Sequence, residues 1–241
     1  FLLRQNFNKK TAALLLLLSP ALAWAGPPRV DRVRWIMGTA LEIRAHGPGA
    51  EAAVLAAFAE VERLDRVLSI HKEDSEASAL NRSSGAKFRC SPALWEAIEL
   101  SRRFNKLSQG AFDPPVQILR YGKSFHDGVG FDRLILDNRG RTVSFRSYGT
   151  RLDFGGIGKG LALDKAAAAL RAGGVSSALL NFGGQVYALG TEPERAGWIV
   201  KIPVGPNLRL KDASASTSGN SERPGHIVSP FTGQPILKGA D

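Results

Sequence analysis

The stretch Leu152-Asp-Phe-Gly-Gly-Ile-Gly-Lys-Gly160, continued by Leu161-Ala-Leu-Asp164 and an alanine-rich run, decides how this chain is read. Asp153 closes a strand-like segment, Arg151 to Phe154. Four glycines within the next six residues let the backbone come close to a neighbour, and Lys159 sits among them. A helix then begins, predicted over Ile157 to Ala172 and closed by Gly173-Gly174. A glycine-rich turn feeding a helix N-terminus presents free N–H groups and a partial positive charge, which suits a phosphate. Carboxylate, glycines and lysine in that order point to a nucleotide and its pyrophosphate; the plain alternative is a tight turn with a surface lysine. Two familiar loops are excluded. Leu161 stands where G-x-G-x-x-G needs its third glycine, and Asp153 and Gly160 occupy the first-glycine and Ser/Thr positions of a P-loop.

Outward from this turn, apolar periodicity sets the elements. Val33 to Ala45 reads as two strands around Gly38. Val54, Phe58, Val61, Leu64 and Leu68 fall on one helical face and predict a helix from about Ala50 to Leu68. Ser91-Pro92 is an N-cap with proline at the first helical position. It opens a helix to about Leu107 with Leu94, Ile98 and Phe104 inward. Val143 and Phe145 belong to a short strand. Ala178–Phe182, Gln185–Leu189 and Trp198–Ile202 are further strands. Strands in runs with helices between the runs argue for an α+β fold, a mixed or antiparallel sheet with packed helices, rather than a doubly wound parallel sheet.

Composition narrows the chemistry. Of 241 residues 44% are hydrophobic, ordinary for a globular chain. The single cysteine, Cys90, excludes an internal disulfide and a cysteine-based zinc site, and a lone thiol of this kind belongs to a core. Residues 1–25 carry Arg4, Lys9 and Lys10, an apolar run from Thr11 to Leu18 and two A-x-A sites. They read as a signal peptide without a lipobox cysteine, so a periplasmic location is expected. The net charge of +10 suits an anionic ligand or a solvated basic surface. Basic residues are dispersed without zinc-finger or RNP patterns, so nucleic acid is not the expected partner. His46, His71, His126 and His226 form no H-E-x-x-H pair, and no G-x-S-x-G elbow supports a serine hydrolase.

What remains is a series of short polar motifs: Met37-Gly-Thr39, the loop Ser69 to Asn81, Gly110-Ala-Phe-Asp-Pro114, Asp153 to Asp164, Asn181-Phe-Gly-Gly184, Thr217-Ser-Gly219 and His226 to Pro235. Singly, each reads as a turn, a bulge or plain surface. In this order they resemble the ApbE flavin transferases. That family carries M-G-T, a loop like S-T-Y-R-P-D-S-E-L-S-x-L-N, G-x-F-D-P-T-V, D-L-G-G-I-A-K-G-x-A-x-D, N-x-G-G, T-S-G and H-I-I-D-P-x-T-G-x-P. The resemblance covers nearly all of the chain after residue 25 and makes residues 26–241 one ApbE-like domain.

The resemblance implies an enzyme that moves FMN from FAD to a threonine or serine hydroxyl of an acceptor flavoprotein subunit of a membrane redox complex, releasing AMP with Mg²⁺. It makes Met37, His71, Ala111, Phe112, Asp113, Asp153, Lys159 and the backbone near Val228 contacts to FAD, and the Gly156 carbonyl a metal ligand. His226 is the expected general base, because histidine titrates near neutral pH. The chain departs from the family pattern at three places: His71 for the loop tyrosine, Pro115 for threonine and Ser229 for aspartate. The family's D-x-x-x-T metal motif would fall beyond Asp241. The sequence as it stands is therefore expected to be a clipped flavin transferase, or alternatively a non-enzymatic periplasmic FAD-binding relative without the metal site.

Overall fold

The computed structural model describes residues 27–83, 85–115, 130–146, 150–202, 205–217, 225 and 227–236. The leader pattern of residues 1–25 and the expected base His226 lie outside them.

Strands β1 (Arg29–Ile36) and β2 (Thr39–His46) form a hairpin, and β2 pairs next with β6 (Ser177–Phe182). Beyond it come β7 (Gln185–Leu189) and β10 (Ala213–Ala215), giving one antiparallel sheet in the order β1-β2-β6-β7-β10. Alternation does the work expected of it. Leu41, Ile43 and Ala45 on β2 lie opposite Phe182, Leu180 and Ala178 on β6, and all six are buried on one face.

That face is covered by α1 (Ala50–Leu68) and α4 (Gly158–Ala172), which pack on each other and on the strands. Their close approach depends on Gly173: a Cβ there would lie 2.5 Å from the Cβ of Ala53. On α1 the apolar stripe Val54, Phe58, Val61, Leu64 and Leu68 is buried. The remaining elements are α2 (Glu76–Arg82), α3 (Pro92–Leu107), a three-stranded sheet β3-β5-β4 (Phe88–Arg89, Thr142–Phe145, Leu134–Asp137) and a hairpin of β8 (Trp198–Val200) with β9 (Leu208–Leu210). Ser91 caps α3 through a bond from the Leu94 N–H at 3.2 Å, with proline next in line. Cys90 is buried, and burial pushes its thiol up to about 12, so it stays neutral within the core.

The α+β architecture therefore holds, with three corrections. Phe104 does not face inward. It is 44% exposed near the end of α3 and meets Phe112 edge to face at 6.3 Å between ring centroids. The loop read over Ser69 to Asn81 is helical in its second half: Glu76–Arg82 form a helix capped by Ser75 that buries Ala77, Ser78 and Leu80. Residues 151–154 are not a strand. Instead the side chain of Asn81 stands in for a partner strand. Its Nδ2 donates to the Leu152 carbonyl at 2.9 Å, and its Oδ1 accepts the Leu152 N–H at 2.8 Å. One amide thus satisfies both backbone groups of the fully buried Leu152, which no ladder serves.

Asn81→Ala should therefore cost about 2 kcal/mol of stability, the scale for buried backbone groups left unpaired. Asn81→Asp, which keeps the acceptor and loses the donor, should cost less. Urea unfolding of the two variants checks this; equal stability to the parent would show that Leu152 is held some other way.

Candidate functional site

The glycine turn enters α4 without a side-chain cap. Ile157 occupies the N-cap, and no acid lies in the first helical turn. Asp153 bends the chain before it: Oδ1 accepts the Gly155 N–H at 2.7 Å, as in an Asx turn. The Asp153 N–H in turn donates to the Pro114 carbonyl at 3.4 Å, which ties this turn to the Gly110–Pro114 motif.

The second tie is steric. A Cβ on Gly156 would lie 2.8 Å from Cε2 of Phe112, so the Phe112 ring rests directly on the Gly156 backbone. Phe112 is itself fixed by the end of α3. Its N–H donates to Ser108 Oγ at 2.9 Å, and its carbonyl accepts from Asn105 Nδ2 at 2.8 Å. Ala111 is exposed, while Phe112 and Asp113 are half-buried beside it.

Asp113 is the most perturbed carboxyl described. Burial pushes it up to about 6; the Phe131 backbone bond opposes the rise and the nearby Asp132 charge adds to it. Its Oδ1 is buried without a hydrogen-bond partner among the described residues. A carboxyl with an orphaned oxygen at the edge of a turn is a group awaiting a donor.

Two further turns close on the same end of the main sheet. The β1–β2 hairpin turns at Met37 and Gly38, with φ of 49° and 74°, the positive pair that a type I′ loop requires. Methionine carries a strain there that glycine does not. The β6–β7 turn at Gly183-Gly184 leans on it: Gly183 donates to the Ala40 carbonyl at 3.1 Å, and a Cβ on Gly183 would lie 2.6 Å from Thr39 Oγ1. Gln185, just past that turn, places Nε2 3.1 Å from where a Gly160 Cβ would be. Leu68 at the end of α1 reaches Gly158, so the following loop with His71 starts beside the α4 N-terminus.

Six of the predicted residues thus belong to one neighbourhood: Met37, Phe112, Asp113, Asp153, Gly156 and Lys159. Lys159 is half-buried in the first turn of α4 and His71 is exposed; both have bonding partners in the structure. Val228 is buried in a small hairpin, bridged to Pro235, whose exposed Phe231 comes within 3.9 Å of a Cβ built on Gly110. The supporting residues Asn81, Asn105, Ser108 and Gln185 escaped the sequence reading. Asn81 alone gave a signal, as the last residue of a quoted motif.

Of the donors expected for Mg²⁺, the described residues supply the Gly156 backbone. They contain no group of three His, Cys, Asp or Glu side chains that could hold a metal ion. A hard cation of this kind takes about six oxygen ligands, so the described residues do not complete a site for it.

The family profile "ApbE family" matches residues 37–240. A protein of Rhodobacter capsulatus named FAD:protein FMN transferase is 30% identical over 93% of this chain and 50% of its own length. A Treponema pallidum protein of the same name is 28% identical over 88% of this chain and 72% of its own. The chain spans half the length of the first of these relatives. Among solved structures, the ApbE protein of Thermotoga maritima superposes with a TM-score of 0.78 at 22% identity, covering 86% of this chain and 78% of that one. The apo flavinyl transferase ApbE of Pseudomonas stutzeri gives 0.77 at 23%, covering 87% and 76%. These superpositions establish the shared fold.

Two outcomes follow from the packing. Gly156→Ala should cost about 1–3 kcal/mol by overpacking against the Phe112 ring, and much less in a Phe112→Ala background; a double-mutant cycle by urea unfolding reads the coupling. For Asp113, an unfolded carboxyl titrates near about 3.9 and the folded one at about 6. Between these the folded protein holds a proton that the unfolded chain has lost, so this group's contribution to stability falls as pH rises from about 4 to about 6. Asp113→Asn should remove that loss and leave the variant more stable than the parent at pH 7.5. Denaturation curves across the window check the sign.

Proposed function

The chain belongs to the ApbE family, and on that premise we propose that it transfers FMN from FAD to a threonine or serine hydroxyl of an acceptor protein, releasing AMP. The observation that carries this reading is the seating of the Asp153–Gly160 turn. An uncapped helix N-terminus, a lysine, an orphaned carboxyl and an aromatic ring come together where two sheet turns also end.

In this reading the α4 N-terminus and Lys159 bind the anionic pyrophosphate, the helix through its partial charge and the lysine as a point charge. Gly156, kept free of a side chain by the Phe112 ring, lets the backbone approach the ligand. Asp153 fixes the turn and has its second oxygen for a ribose or ring N–H. Asp113, holding a proton more readily than a surface carboxyl, can donate as well as accept. Met37, His71, Ala111 and the backbone at Val228 complete the proposed contacts. His226 takes the acceptor hydroxyl proton, the hydroxyl oxygen bonds to the FMN-side phosphorus, and the bond to the AMP phosphate breaks. Mg²⁺, when bound, would supply charge neutralisation at the pyrophosphate.

We further propose a periplasmic location, on the leader pattern of residues 1–25, and acceptors among the flavoprotein subunits of membrane redox complexes. No described helix is long and apolar enough to cross a membrane.

The test is covalent flavin on a threonine-bearing acceptor, read by mass after incubation with FAD and Mg²⁺. Lys159→Ala should weaken FAD binding by about 1.5–3 kcal/mol, the range for a hydrogen bond to a charged group. His226→Ala should leave FAD affinity nearly intact and slow transfer by roughly 10²–10⁴-fold. Unchanged FAD binding in Lys159→Ala and in Asp153→Asn would reduce the turn to a structural one.

A further inference from the structure

At the opposite end of α3 from the Phe112 turn lies a second concave feature. A cleft of about 260 Å³ is lined by Arg89, Cys90, Pro92, Arg139, Gly140 and Arg141. Sixteen residues of helix separate it from the Ser108–Phe112 turn, which at 1.5 Å per residue is about 24 Å. It is therefore distinct from the site proposed for FAD.

Three arginines from two elements line it: Arg89 from β3, Arg139 and Arg141 from the β4–β5 turn. The two elements are locked together, because the Cys90 N–H donates to the Arg141 carbonyl at 2.9 Å and β3 pairs with β5. None of the three guanidinium groups forms an ion pair or a side-chain hydrogen bond among the described residues. Seven other described arginines do so at short range: Arg29, Arg32, Arg34, Arg44, Arg63, Arg102 and Arg195 each have a carboxylate within 3.5 Å.

Two acids lie beside the cleft, and both already accept hydrogen bonds. Glu76 spends both oxygens on Ser91, accepting from its N–H and its hydroxyl. Asp137 accepts the Arg139 backbone N–H at 3.0 Å and faces the Gly140 backbone. Cys90 contributes a neutral wall. Arg141 also holds a left-handed backbone, φ 49°, which a side-chain-bearing residue adopts at a cost. The result is a cleft lined by three arginines whose guanidinium groups pair with no carboxylate among the described residues. Planar forks of this kind match the oxygens of a phosphate.

We propose that this cleft is a second binding site, for a phosphate-type oxyanion, supplied either by a free phosphate compound or by the headgroup of an anionic lipid. The site is independent of flavin transfer. A lipid source would orient the protein on a membrane surface, and a free source would make the cleft a small-anion site.

Two arms separate the sources. Inorganic pyrophosphate is titrated into the full chain by calorimetry. Sedimentation is measured with vesicles of phosphatidylcholine, with and without phosphatidylglycerol. The triple variant Arg89→Ala, Arg139→Ala, Arg141→Asn should lose about tenfold or more of the affinity in whichever arm the parent binds; asparagine is used at 141 because it tolerates the left-handed backbone. Arg102→Ala with Arg103→Ala, which removes two charges elsewhere on α3, should leave binding unchanged.

Lys159→Ala separates the two sites: pyrophosphate held in the proposed FAD cradle is lost in that variant and kept in the arginine triple. A parent that binds neither probe overturns the proposal. So does a triple variant that binds as the parent does, or binding lost equally in the α3 control. Should the triple variant fail to fold, Arg139→Glu on the exposed turn alone must still weaken binding, or the proposal falls.

Discussion

The candidate site depends on one side-chain amide. Asn81 bonds both backbone groups of Leu152, and through them sets where the chain leaves the core and enters the Asp153–Gly160 turn. No β-ladder does this job, because residues 151–154 pair with no strand. A free extended segment there would leave a buried N–H and C=O unsatisfied, at a cost of about 1–3 kcal/mol each. The amide removes that cost and fixes the direction of the turn. Everything downstream inherits the position: the Asp153 bend, the Gly156 backbone under the Phe112 ring, and the uncapped start of α4.

Around that anchor the packing is arranged so that glycine is needed for approach as much as for conformation. Gly156 yields to an aromatic ring, Gly173 to the neighbouring helix and Gly183 to Thr39. The same region carries costs that pure stability would avoid. Met37 sits in a left-handed turn, and Asp113 is desolvated with one oxygen unpartnered among the described residues. Strain and unmet polar groups gathered at one place are what the proposed ligand site would need. An anionic nucleotide at the α4 N-terminus would use what the protein leaves unsatisfied there.

Much of this was legible in the sequence, for physical reasons. The bounds of α1 and α3 followed from a 3.6-residue apolar stripe and from a Ser-Pro start, and the structure keeps both. Strand β2 followed from apolar alternation, and β6 and β7 from short apolar runs parted by Gly183-Gly184. The failures have a common cause. Residues 151–154 look like a strand because they are extended and half-apolar, but the partner is a side chain 71 positions away in sequence, which no local pattern encodes. Helix α2 is too short for periodicity to declare itself. Phe104 fits the apolar stripe of α3 yet lies where the helix outruns the core and meets Phe112 instead. For the site, the order of the motifs carried the information; the residues that hold them in register, Asn105, Ser108 and Gln185, are polar side chains with no spacing signature.

The central claim is that the Asp153–Gly160 turn and its neighbours form a nucleotide cradle. Hydrogen exchange of the backbone amides with and without FAD tests it most directly. The account predicts slowed exchange at residues 155–160, together with 37–39 and 111–113, when FAD is added. Unchanged exchange across those three segments at saturating FAD, or protection confined to some other part of the chain, would contradict it.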